Sequence, residues 1–148
     1  MIDPLDLQRF VVAQDPVFAG VLAELRRGRK AAHWMWFIFP QLRGLGSSWE
    51  ADHFGIASRA EAVAYLKHPV LGPRLLDCTT LVNQIAGSSI QKIFGGIDSI
   101  KFRSSMTLFG QVGVDKRVFA EALGKYFGGK ADQLTLEMLA STQNAAGV

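Results

Sequence analysis

Lys101, Ser104 and Ser105 stand at i, i+3 and i+4, so on a helix their side chains can face one point. An ammonium and two hydroxyls meeting there could ring the oxygens of a polar ligand. Arg103 adds a guanidinium for an anion, and Asp98, just upstream, adds a carboxylate able to act as a general base. Adjacent serines are poor helix formers, which marks the pair out for a task other than propensity. Hydroxyls bonded back to the carbonyls four residues earlier would explain them equally.

Three further stretches carry chemistry-bearing side chains. His33 to Pro40 reads HWMWFIFP. Trp34 and Trp36 are two residues apart and cannot share one helix face, so one of them is expected to meet a cavity or the surface, where it could stack on a flat ligand. His33 stands at the entry, as a ligand contact or as a hydrogen-bonded structural histidine. Gln41 to Ser48 holds Arg43, two glycines and two serines, which suit a backbone nest for an anion and equally an ordinary surface loop. Glu50 follows, and with His53 at i+3 it forms the nearest local acid/base pair. Arg74 follows the stiff His68–Pro73 corner in a first helical turn, against the dipole preference. It calls for a carboxylate or an anionic ligand.

Familiar cofactor motifs are missing: no GxGxxG, Walker loop, HExxH or GxSxG is present. His33, His53 and His68 have no spacing that clamps a metal, so neither a metal nor a cofactor is expected. The single cysteine, Cys78, sits in a helical pattern among apolar neighbours and reads as a buried, inert thiol.

The elements that must position these residues read as short helices between clear stops. Asp3 with Pro4 opens the first. Phe18, Val21, Leu22 and Leu25 mark one face of the second, which Gly28 ends. Ser58 with Glu61 and Ser88 with Gln91 form capping boxes, and Asp98, Asp115 and Asp132 cap later helices. Residues 31–57 form an irregular aromatic segment whose apolar run satisfies helical and strand periods alike. The expected fold is all-α: a compact single-domain bundle of seven or eight short helices over residues 1–141, with a frayed tail over 142–148.

With 148 residues, 49% of them hydrophobic and 20% charged, the chain can bury a real core. Sixteen Lys and Arg against 13 Asp and Glu give +3, too little and too scattered for a nucleic-acid binder. The one dense basic cluster, Arg26, Arg27, Arg29 and Lys30, falls at a helix end that already suits cations. The longest apolar run, Trp34 to Pro40, is too short to cross a bilayer. Asp3 and Asp6 stand where a secretory signal would place basic and apolar residues, so a cytoplasmic location is expected.

The stretches HWMWFIFPQLRGLG, FGIAS with the following EAVAYLKHPVLGPRL, and IFGGIDSIKFRSSMTLF resemble the DUF1810 family, from about residue 5 to residue 140. That resemblance implies a mainly helical single domain and brings no established activity. At a greater distance the chain is similar to the NADAR or YbiA-like group, small helical N-glycosidases acting on ADP-ribosylated or ribosyl-pyrimidine substrates. Their paired motifs, a glutamate before an aromatic–Gln–Ala–x–Lys helix and a later Asp–x–x–Trp–Gly, are not intact here. Trp49 to Phe54 and Lys101 to Met106 only echo them, and no catalytic role carries over.

Two functional readings follow. In the first, the protein binds or hydrolyses a nucleotide-like or phosphosugar metabolite, an anionic small molecule. Trp34 or Trp36 stacks the flat group, and Arg43 or Arg74 holds the phosphate. Lys101, Ser104 and Ser105 take sugar oxygens, Arg103 assists, and Glu50 or Asp98 activates water. In the second, the surplus aromatics serve a non-catalytic interaction module, such as a homodimer.

Overall fold

Side-chain caps and left-handed glycines cut the chain into ten helices among the described residues. The computed structural model describes the backbone of residues 3–146 and the side chains of residues 3–141. The helices are α1 Gln8–Gln14, α2 Phe18–Arg27, α3 Met35–Ile38, α4 Trp49–His53, α5 Arg59–Lys67, α6 Leu71–Gln84, α7 Ile90–Phe94, α8 Gly96–Val112, α9 Arg117–Phe127 and α10 Gln133–Ala146. The fold is all-α. The count exceeds the expected seven or eight because the aromatic segment itself contributes the short α3 and α4.

Local signals set most boundaries. Ser58 Oγ accepts from Glu61 N at 3.1 Å, while the Glu61 carboxylate accepts from Ala57 N at 2.8 Å. Gly28, at φ 78°, ends α2. Asp132 Oδ2 accepts from Thr135 N at the start of α10. Four expected caps shift, the first being Asp115: Lys116 takes the cap position of α9, and Asp115, one residue ahead of it, accepts from Arg117 N at 3.2 Å. Ser89, not Ser88, caps α7, accepting from Lys92 N at 3.2 Å. Asp98 lies inside the first turn of α8 rather than ahead of it, because Gly95 at φ 85° lets α8 begin directly after α7. Asp3 does reach Gln8 N at 2.9 Å, but residues 4–7 form turns and α1 starts only at Gln8. The tail expected to fray from Thr142 begins within α10, and residues 147 and 148 lie outside those described.

The core is one cluster running from Phe10 and Leu25 through Tyr65, Leu75 and Val82 to Phe102, Phe109 and Phe119. The central helix, α8, packs on α3, α5, α7, α9 and α10, while α6 packs on α2, α3, α5 and α9. Phe39, Phe94 and Phe102 meet edge-to-face or tilted, with centroids 5.0–5.8 Å apart. Cys78 is fully buried, and desolvation pushes its thiol up to about 12. Burial likewise raises Tyr65, whose hydroxyl accepts from Gln14 Nε2 at 3.0 Å. No helix of the described residues is long and apolar enough to cross a membrane.

The irregular segment is pinned by local contacts. An isolated parallel bridge pairs Leu42 with Ile56, through Ile56 N to Gln41 O and Arg43 N to Ile56 O, both at 2.9 Å. Ser48 caps α4, accepting from Ala51 N. At Gly46 a Cβ would stand 2.7 Å from the Ala51 Cβ, so the loop can fold onto α4 only with glycine there. These contacts fix the wall that residues 41–51 present to α8.

Candidate functional site

One face of α8 carries Ile97, Ile100, Lys101 and Ser104, spaced i, i+3, i+4 and i+7. Across from it stand the Gln41–Ser48 loop and Ala51, and at one end the start of α10 supplies Asp132 and Leu134. Together they enclose a cleft of about 410 Å³. Adjoining it is a narrow slot of about 10 Å³, lined by Met35, Trp36, Phe39, Gln41, Ala51, Phe54 and Lys101. Gln41, Ala51 and Lys101 border both spaces.

The end wall is tied to α8 by side chains. Arg103 donates from Nε to Lys130 O at 2.9 Å and from Nη2 to Ala131 O at 3.1 Å. Thr107 Oγ1 accepts from Asp132 N at 2.8 Å while donating to Arg103 O. Arg103 is thereby a tie between two elements, not a ligand hand.

From Trp36 and Lys101 an alternating chain of charges and aromatic rings leads away from the two linings. Lys101 Nζ lies 5.2 Å from the Trp36 ring centre and 3.8 Å from Asp98 Oδ1. Asp98 Oδ2 is 2.9 Å from Lys30 Nζ, and Lys30 Nζ lies 5.2 Å from the Trp34 ring centre. Trp34 is 2% exposed and donates from Nε1 to Glu24 Oε1 at 3.0 Å. The same carboxylate oxygen accepts from Ala31 N and Ala32 N. Burial alone would raise the Glu24 pKa, but these three donors outweigh it and leave the carboxyl below the ordinary value. Trp36 differs: its Nε1 is buried and has no hydrogen-bond partner within the protein. Of the two tryptophans, Trp36 is the one that meets a cavity.

The remaining sequence candidates lie elsewhere. Ser104 lines the cleft, though its hydroxyl donates to Ile100 O at 3.2 Å, as the structural alternative had it. Ser105 points into the core, fully buried and without a partner, so the serine pair does not converge. Arg74 pairs with Asp15 at 2.9 Å and lies over the Phe18 ring, which supplies the carboxylate its dipole-opposed position demands. Arg43 donates to Asp52 O and Gly55 O on the far side of α4. His33 is exposed and Glu50 half-buried; neither lines the cleft. Asp98 meets two lysines instead of standing free as a base.

Sequence reasoning did not single out Gln41 as a cleft-lining side chain, nor Ile97, Ile100 and Leu134. A signal was present for two of them: α8 buries Phe102, Met106 and Phe109, yet Ile97 and Ile100 sit on its opposite face, 75% and 66% exposed. A helix apolar on a second face has something to cover there.

A second hollow of about 420 Å³ lies around Arg9, Arg43, Asp52, His53 and Glu61. Arg9 and Glu61 form a buried ion pair at 2.7 Å, their side chains 8% and 3% exposed. Arg9 Nε donates to His53 O, Nη1 to Leu5 O and Asp6 O, and Nη2 to Gly55 O and the Glu61 carboxylate. All five guanidinium donors are therefore engaged. Among the described residues, no group of three or more His, Cys, Asp or Glu side chains could hold a metal ion.

Among solved structures the chain is similar to the crystal structure of the conserved hypothetical protein Rv1873 from Mycobacterium tuberculosis. The two share 56% identity and superpose with a TM-score of 0.92, over 93% of this chain and 99% of that one. No curated protein matches the chain. The model of DUF1810, described as a protein of unknown function, matches residues 4–139, and the chain belongs to that family.

Proposed function

We propose that the protein binds a small amphipathic metabolite in the cleft between α8 and the 41–51 segment. The observation that carries this reading is the meeting of Trp36, Gln41 and Lys101 at a slot adjoining a hollow whose rim is apolar. A few convergent polar groups under an apolar mouth is the usual make-up of a small-molecule site. Charge narrows the ligand. Lys101 puts one positive charge on the lining of both spaces, while Asp98, 3.8 Å from it, pairs with Lys30 at 2.9 Å outside that lining. Asp132 at the rim adds a negative one. That arrangement suits a ligand bearing a single negative charge better than a phosphate dianion, and Arg43, Arg74 and Arg103 are turned to other tasks. Binding is favoured over turnover because Glu50 stands outside the lining and Asp98 is engaged by lysines.

A thermal-shift screen of small organic acids, nucleosides and nucleotides, followed by calorimetry, tests this. A hit should lose about tenfold or more in affinity on Lys101→Met, the effect of removing one hydrogen bond to a charged group. Hits whose affinity is untouched by Lys101→Met and by Leu134→Ser together would place binding elsewhere and discard the reading.

The exposed rim favours a second reading. Ile97, Ile100 and Leu134, the last 53% exposed, form an apolar border that a protein partner or a second copy could cover. Light scattering across micromolar concentrations separates the two. A dimer that Ile100→Glu dissociates supports the interface, and a monomer throughout counts against self-association.

A further inference from the structure

We propose that the slot adjoining the cleft seats one oxygen of a monocarboxylate, which accepts from Trp36 Nε1–H and Lys101 Nζ while the ligand's apolar body lies along Ile97, Ile100 and Leu134. This rests on the reading of the cleft as a small-molecule site and names the class of molecule it takes.

Three observations converge. Trp36 Nε1 is buried with no partner in the protein, and Trp36 lines the slot. An indole nitrogen only donates, so what satisfies it must be an acceptor. Size comes next. The slot measures about 10 Å³, close to one water-sized sphere. It admits a single oxygen at the end of a ligand, whereas a ring or a tetrahedral phosphoryl group must stay outside it. Charge completes the description. Lys101 also borders the slot, and its Nζ is 3.8 Å from Asp98, beyond hydrogen-bond length, so its donors remain free for an incoming anion. A planar carboxylate meets all three demands, with one oxygen in the slot between the indole N–H and the ammonium and the other turned toward the cleft. A ligand ammonium would be repelled by Lys101 and offers Trp36 no acceptor. The apolar remainder of the ligand follows from the rim, where Ile97, Ile100 and Leu134 stand exposed.

The test uses the full chain, labelled with nitrogen-15 and at the isoleucine δ1 methyls, and titrated below micelle-forming concentrations with octanoate, octan-1-ol and octyl phosphate. Trp36→Phe assigns the Trp36 indole resonance. Octanoate is expected to move that resonance together with the Ile97 and Ile100 methyls. It should bind at least tenfold tighter than octanol or octyl phosphate, and Lys101→Met should erase its advantage over octanol. Trp36→Phe should weaken octanoate several-fold and leave octanol unchanged. If the methyls move but the indole does not, or if octanol or octyl phosphate binds as well as octanoate, the carboxylate seat is wrong while the cleft reading stands. If none of the three probes moves either set of resonances, both fall.

Discussion

Two of the hollows on this molecule are nearly equal in size, about 420 Å³ around Arg9 and about 410 Å³ beside α8, yet their polar groups are in opposite conditions. In the first, Arg9 spends every donor on backbone carbonyls and Glu61, and so staples α1 to the start of α5 and the end of α4. In the second, a buried indole N–H lacks a partner and a lysine stands off from its nearest carboxylate. Volume does not separate a knot from a site; the difference lies in which polar groups remain unsatisfied. The same contrast repeats between Trp34 and Trp36, one tied to Glu24 and the other left with a free donor.

Arg9→Ala should give the largest change. It leaves the Glu61 carboxylate buried without its partner, and urea denaturation should show a loss of about 3–5 kcal/mol. Ligand affinity at the α8 cleft should stay as it is in molecules that remain folded. A loss below about 1 kcal/mol, the worth of a surface pair, would mean the Arg9–Glu61 pair is not the buried tie described.

Glu24→Gln should come next. It weakens three charge-assisted hydrogen bonds, to Ala31 N, Ala32 N and Trp34 Nε1, and should cost about 1.5 kcal/mol. The same variant sharpens the pH dependence. The Glu24 pKa is depressed below 4.5 in the fold, so its stabilisation is fully present above that value. It is lost as pH falls through the lower, folded-state value. Wild type should therefore shed more stability than Glu24→Gln on acidification below about pH 4.5, and equal losses would remove Glu24 as the clamp on Trp34.

The smallest expected effect is the most telling. Trp36→Phe removes a buried donor that bonds to nothing in the protein, so stability should move by no more than about 0.5 kcal/mol. Trp34→Phe, which strips the Glu24 contact, should cost distinctly more in the same denaturation series. Equal costs for the two would abolish the contrast between the tryptophans and with it the case for an open donor at the slot.

Much of the helix layout was legible because caps are short-range. Ser58 reaches Glu61 three residues on, Asp132 reaches Thr135, and Gly28 needs only its own positive φ. Where caps moved, as at Ser88 and Asp98, a residue one or three positions away took the place, which periodicity cannot resolve. Within the candidate site, Lys101, Ser104 and Trp36 were legible as residue types at suggestive spacing. Their companions were not. Arg43, Arg74 and Arg103 look alike in sequence, and nothing local says that Arg74 will find Asp15, or that Arg103 will tie down residues 130 and 131.

From the sequence alone came the all-α character, most helix ends, the buried inert thiol and the family, since these depend on composition, on hydrogen bonds spanning three or four residues, and on matching runs of letters. Tertiary structure alone decided which tryptophan is sealed, which arginines are consumed, and where an apolar rim meets a lysine. Those outcomes depend on pairs far apart in the chain, such as Arg9 and Glu61 at a separation of 52 residues. The energy of such a pair is set by burial and distance in the folded state, and neither quantity is written in the spacing of residues along a strand of letters.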